Sequence, residues 1–152
     1  MQLYRIAKAE YITDTTGAGA RIYGGRWNRK GTAVIYTSES RALAMLESLV
    51  HVPLALAPRD LQICRIKIPG NIQPTEINVD ELPPDWSANP PREITAEIGT
   101  SWAREGKSLM LRVPSVVVRD EFNVLINPQH RDFSKVNLGA PEPLTFDERL
   151  IL

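Results

Sequence analysis

"GGRWNRKGTAVIYTSESRALAMLESLV", residues 24–50, holds the change of hydrophobic period on which the fold turns. Up to Thr37 the apolar and β-branched residues are contiguous, in Ala33-Val34-Ile35-Tyr36-Thr37, as in a strand. Beyond Ser38, Leu43, Leu46, Leu49 and Val50 recur at helical spacing. Ser38 is read as the cap of that helix, its hydroxyl accepting a backbone N–H of the first turn, and Pro53 as its end. Ahead of the strand, Gly24 and Gly25 lead into Arg26, Trp27, Asn28, Arg29 and Lys30, so a sharp turn or a close backbone approach is expected. Two readings of Arg26 stand at this point. It is a solvated basic tip, or a guanidinium placed to grip a phosphate or carboxylate through two parallel hydrogen bonds.

Outward from this strand–helix pair, "LYRIA" reads as a first strand and residues 11–25 as a polar, glycine-containing loop. A third strand over Leu61–Ile68 stops at Pro69-Gly70. The proline-rich middle is irregular and pinned to the core by Ile77, Val79, Leu82 and Trp86. Thr95–Glu105 forms a second helix around Ile98 and Trp102, closed by Gly106. Residues 108–128 read as two strands with Pro114 at an edge or irregular position, and "PLTFDERLIL" supplies a last strand. About seven short strands and two helices give an α+β fold in one domain, residues 1–152.

The 18 basic and 18 acidic residues cancel, which speaks against a nucleic-acid or anionic-membrane surface. No apolar run is long enough to span a bilayer, and "MQLYRIAKAEY" lacks a signal-peptide hydrophobic stretch, so a cytoplasmic location is expected. The single cysteine, Cys64, excludes an internal disulfide and falls in a strand, where a buried inert thiol is expected. His51 and His130 are far apart and lack acidic or thiol companions, so no metal is expected.

With Arg26, three further residues stand out chemically, each with a plainer alternative. Glu47, four residues after Leu43, falls at the margin of the apolar helix face and either lines a cleft or makes a structural ion pair. Tyr36, near a strand end, is a site residue or a core residue whose hydroxyl finds a partner. Ser115 is a site residue or an ordinary polar strand position. No general base lies near it in sequence, so a serine-hydrolase reading is weak. "GAGA" at 17–20 lacks the lysine and the context of a phosphate loop.

Together, "GGRWN", "VIYTS", "LAMLE", "VPSVVV" and "EFNVLINPQHRDF" resemble the RES domain family. That family is named for an arginine, a glutamate and a serine, which match Arg26, Glu47 and Ser115. "LYRI", "LPPDW", "IGTSW" and "FDERL" carry the likeness from Leu3 to about Leu150. The resemblance implies the toxin of a bacterial toxin–antitoxin pair, with a split, mixed β-sheet core similar to that of ADP-ribosyltransferases. NAD would be substrate rather than resident cofactor, cleaved between nicotinamide and ribose, with ADP-ribose passed to phosphate, water or a protein. The implied partner is a small Xre-like helix-turn-helix antitoxin whose C-terminal segment covers the active site. A homodimer within that complex is compatible with the resemblance.

In this reading Arg26 grips the pyrophosphate, on a turn whose Gly25, Trp27 and Asn28 also belong to the NAD site. Tyr36 stacks on nicotinamide or holds the ribose. Glu47 stabilises positive charge on the ribose, Ser115 orients Glu47 or the ribose, and Asn123 and Arg5 add polar contacts. Nicotinamide leaves neutral from a cationic precursor, so no acid is required at the leaving group. The competing reading is a non-catalytic binding domain in which Arg26 and Glu47 form a structural ion pair.

Overall fold

In the computed structural model, which describes residues 1–53 and 56–150, β1 (Gln2–Lys8) pairs along its whole length with antiparallel β3 (Leu61–Lys67), from Gln2 opposite Lys67 to Lys8 opposite Leu61. β2 (Ile35–Ser38) pairs in the same way with β6 (Phe122–Ile126), Ser38 lying opposite Asn123. Between β1 and β2 there is one register pair, Tyr4 with Ser38. The cause is local. β2 is four residues long, and the chain leaves the sheet after Ser38 to enter α2 (Arg41–Leu49). The sheet is therefore two half-sheets joined at one residue pair, and the gap beyond that pair opens a cleft beside Arg5, Ile6 and Tyr36.

The remaining strands complete a mixed sheet. β5 (Met110–Pro114) runs antiparallel to β6 and parallel to the short β4 (Thr75–Glu76). β7 (Asn137–Leu138) and β8 (Glu142–Pro143) both border β3. Pro114 ends β5 beyond its last pair with β4, so its missing N–H leaves no ladder bond unmade. Both sheet faces are buried. Val124 and Ile126 join Leu3, Ile35, Cys64 and Ile66 on one side, while Leu125 joins Trp27, Leu111, Val113 and Trp102 on the other. The second face is covered by α3 (Glu93–Glu105), capped by Gly106.

Several expectations are corrected. Ala18–Tyr23 forms a short helix, α1, where a loop was read; the glycines at its two ends hid it, and none of its residues is buried. The cap of α2 is Ser40, whose side chain accepts from the Leu43 N–H at 3.0 Å, and not Ser38. On α2, Leu43 and Ala44 are buried, whereas Leu46 and Val50 are 42% and 59% exposed, so small Ala44 takes the sheet-facing position expected of a larger residue. Val79 is also exposed, though Ile77, Leu82 and Trp86 do pack on the core. Near the C-terminus the described residues form β8 and a 3₁₀ turn at Glu148–Leu150 instead of a long strand; residues 151 and 152 lie outside the described set. No helix among the described residues is long and apolar enough to cross a membrane.

Candidate active site

The turn that carries Arg26 is built around the Tyr36 hydroxyl. It donates to Asn28 Oδ1 at 2.7 Å and accepts from the Trp27 N–H at 3.1 Å. The Asn28 amide in turn donates to the carbonyls of Ala20 at 2.8 Å and Thr32 at 3.0 Å. A Cβ on Gly25 would lie 2.6 Å from the Tyr36 hydroxyl, so glycine is what lets the ring come this close. Burial pushes the Tyr36 pKa far above that of an ordinary phenol, and the group stays neutral.

α3 holds the turn from behind. The Trp27 carbonyl rests directly over Gly99, the Arg29 N–H donates to Thr100 Oγ1 at 2.9 Å, and the Arg29 guanidinium meets Glu93 and Glu97 at 2.7 and 2.6 Å. Arg26 is thereby held half-buried, with Nη1 donating to the carbonyls of Trp86 at 2.9 Å and Ala88 at 3.0 Å. Its Nε and Nη2 make no hydrogen bond among the described residues. Burial lowers its pKa, while the negative charge of Glu47 acts against that shift. Arg26 and Glu47 thus share one electrostatic field without forming an ion pair.

Glu47 stands on α2 at the wall of a cleft of about 210 Å³, with Arg5, Tyr36, Ser38, His51 and Asn123 around it. Its Oε1 accepts two hydrogen bonds, from Ser115 Oγ at 2.7 Å and from Asn123 Nδ2 at 2.6 Å. Ser115 lies just past β5, and its oxygen accepts the N–H groups of Val117 and Val118, both at 3.0 Å. With those acceptor positions filled, its one proton points at Glu47. Ser115 is therefore a positioning group for the carboxylate and is poorly placed to attack a substrate. Glu47 Oε2 has no hydrogen-bond partner among the described residues. One oxygen is held and the other is free.

The family model described as RES domain matches residues 2–147. The chain belongs to the RES domain family. A relative from Yersinia enterocolitica named Toxin Res is 41% identical over 99% of both chains, and one from Photorhabdus laumondii with the same name is 39% identical over 99% of this chain and 97% of its own. A Sphingobium protein named Prs ADP-ribosylating toxin is 36% identical over 95% of this chain and 91% of its own. Among solved structures, the M. tuberculosis MbcT–MbcA toxin–antitoxin complex contains a chain that superposes with a TM-score of 0.77 at 18% identity, covering 95% of this chain and 84% of that one. That likeness is one of fold.

Of the residues expected at the site of this RES domain, Glu47, Ser115 and Asn123 converge by direct hydrogen bonds, and Tyr36 lines the same cleft. Trp27 and Asn28 are buried and support the turn from inside the core. Arg5 lines the cleft, but its guanidinium donates to the carbonyls of Tyr11, Ile12 and Asp14, fixing that loop. Burial lowers the Arg5 pKa and raises that of neighbouring Cys64, whose thiol donates to the Gly139 carbonyl at 3.1 Å. Sequence reading missed several cleft residues, His51 and Ser38 among them. His51 lies four residues after Glu47, a spacing that could have revealed it. Ser38 gave no such signal, because its partner is across the sheet. Among the described residues no three acidic, histidine or cysteine side chains converge as metal ligands would.

Proposed function

We propose that this RES domain is a toxin that cleaves the nicotinamide–ribose bond of NAD, taken as substrate. The observation that carries the reading is the Glu47 carboxylate, with Oε1 held by two donors and Oε2 open to a cleft between two half-sheets. As nicotinamide departs with the glycosidic electron pair, its ring becomes neutral and positive charge grows on the ribose. A carboxylate already oriented there stabilises that charge without reorganising. Glu47 Oε2 faces the ribose and accepts from one of its hydroxyls. The Tyr36 ring stacks on nicotinamide; its hydroxyl is occupied by Asn28 and Trp27 and does not hold the ribose. The open Nε and Nη2 of Arg26 meet the pyrophosphate.

The acceptor of ADP-ribose is phosphate or water in this reading. Transfer to a cellular protein is the second reading, favoured by the 36% identical relative named as an ADP-ribosylating toxin. The natural partner is an antitoxin, as in the M. tuberculosis complex; a helix-turn-helix protein whose C-terminal segment fills the cleft would supply the DNA affinity that a chain of zero net charge lacks. The site of action is the cytoplasm, where the NAD pool lies.

Two results are expected. Purified protein releases free nicotinamide from NAD, its induction without a partner depletes cellular NAD and halts growth, and mass spectrometry with and without phosphate identifies the acceptor. Unchanged NAD in cells containing soluble, folded protein would reject the reading. Arg26→Lys keeps charge but loses the planar fork, and raises the KM for NAD about tenfold, the scale of one charged hydrogen bond. A variant with parental KM and kcat would remove Arg26 from substrate binding.

A further inference from the structure

We propose that Ser38 is a positioning residue that ties the junction of the two half-sheets to the orientation of Glu47. Three observations converge on it. Ser38 is the β2 residue that pairs with β1, at Tyr4, so it sits where the sheet stops being continuous. It is also the register partner of Asn123 on β6, which places the two side chains on the same face. Finally, its buried hydroxyl donates to Asn123 Oδ1 at 2.6 Å, while the other end of that amide, Nδ2, donates to Glu47 Oε1 at 2.6 Å.

An asparagine amide has one accepting and one donating end, and a carboxylate tolerates only the donating end. Ser38 occupies the accepting end, so the amide has both termini satisfied in one orientation. The relay runs from Ser38 through Asn123 to Glu47 Oε1, with Ser115 gripping the same oxygen from the other side. Oε1 is thus fixed by one donor from the β2–β6 ladder and one from the turn after β5. Oε2 then has a defined direction into the gap that opens beyond Ser38.

The activity part of the test rests on the NAD reading above, and a second readout does not. Nicotinamide release and thermal melts are measured for the parent, Ser38→Ala, Asn123→Ala and the double variant. Ser38→Ala is expected to lower kcat about tenfold, the scale of one buried hydrogen bond, with KM and melting temperature nearly unchanged. In the Asn123→Ala background the same change costs nothing further, because the relay is already broken. Ser38→Cys, close in size and a weak donor, falls between and serves as the comparison if the alanine variant melts early. Independent losses that simply multiply, or a parental kcat in Ser38→Ala, would overturn the proposal. Independently of activity, the two Nδ2 protons of Asn123 should exchange with solvent several-fold faster in Ser38→Ala; equal rates would overturn it too. A parent that releases no nicotinamide rejects the NAD reading, and the proton-exchange comparison alone then decides for or against Ser38.

Discussion

Glu47→Gln is expected to lower turnover about 10²–10³-fold, or roughly 3–4 kcal/mol of barrier, while the melting temperature stays near that of the parent. The geometry makes the comparison clean. Ser115 and Asn123 both present donors to Oε1, and the Ser115 oxygen is committed to the N–H groups of Val117 and Val118. A glutamine must therefore place its carbonyl oxygen where Oε1 was, since its amide nitrogen would meet two donors there. Its NH₂ takes the position of Oε2, facing the cleft. Shape and both supporting hydrogen bonds survive. What is lost is the negative charge beside the ribose, and an acceptor has become a donor. Nicotinamide release by parent and variant, beside thermal melts of both, measures the effect. Near-parental turnover in a folded variant would remove Glu47 from the chemistry.

Gly99→Ala is expected to destabilise the fold by about 3 kcal/mol, at the upper end of what overpacking costs. For a domain of this size that lowers the melting temperature by on the order of 10 °C. Helix propensity alone argues the opposite sign, since alanine in a helix interior is favoured over glycine by about 1 kcal/mol. The contact decides between them. A Cβ on Gly99 would lie 1.7 Å from the Trp27 carbonyl oxygen and 2.8 Å from its carbon, and backbone atoms cannot swing aside as a flexible side chain can. The turn would have to lift off α3, taking with it the Arg29–Thr100 hydrogen bond and the aim of Arg26. Calorimetry on the purified variant tests this. A melting temperature equal to or above that of the parent would show that the turn is not seated on α3 as described.

These two residues also mark how far the sequence could be read. Glu47 was accessible from the helical spacing of its neighbours and from the family motif, which named it with Arg26 and Ser115. Gly99 was passed over, as "IGTSW" holds nothing that reveals which backbone lies against it. The strands β1 and β3, and the end of α3 at Gly106, followed from local pattern and cap chemistry, which act over a few residues. α1 was missed because its flanking glycines read as punctuation and none of its six residues is fully buried. Ser38 was misassigned for a related reason. Ser38 and Ser40 are both acceptable caps, and only the cross-strand partner of Ser38 tells them apart.

What the sequence by itself determined about this protein is its α+β class, the strand–turn–helix order around Arg26 and Glu47, and the family whose residues they match. Each depends on side chains close together in the chain or on a motif at known spacing. Only the tertiary structure decided that the sheet parts between β1 and β2, that the Tyr36 hydroxyl braces the turn, and that Glu47 has one oxygen held and one free. The reason is distance along the chain. Glu47 meets Ser115 and Asn123 across 68 and 76 residues, and Ser38 meets Asn123 across 85, so no local period, cap or turn rule carries the information. Those contacts exist because the β2–β6 ladder and the packing of α2 on the sheet bring distant residues into hydrogen-bond range, and that is settled only when the whole core is assembled.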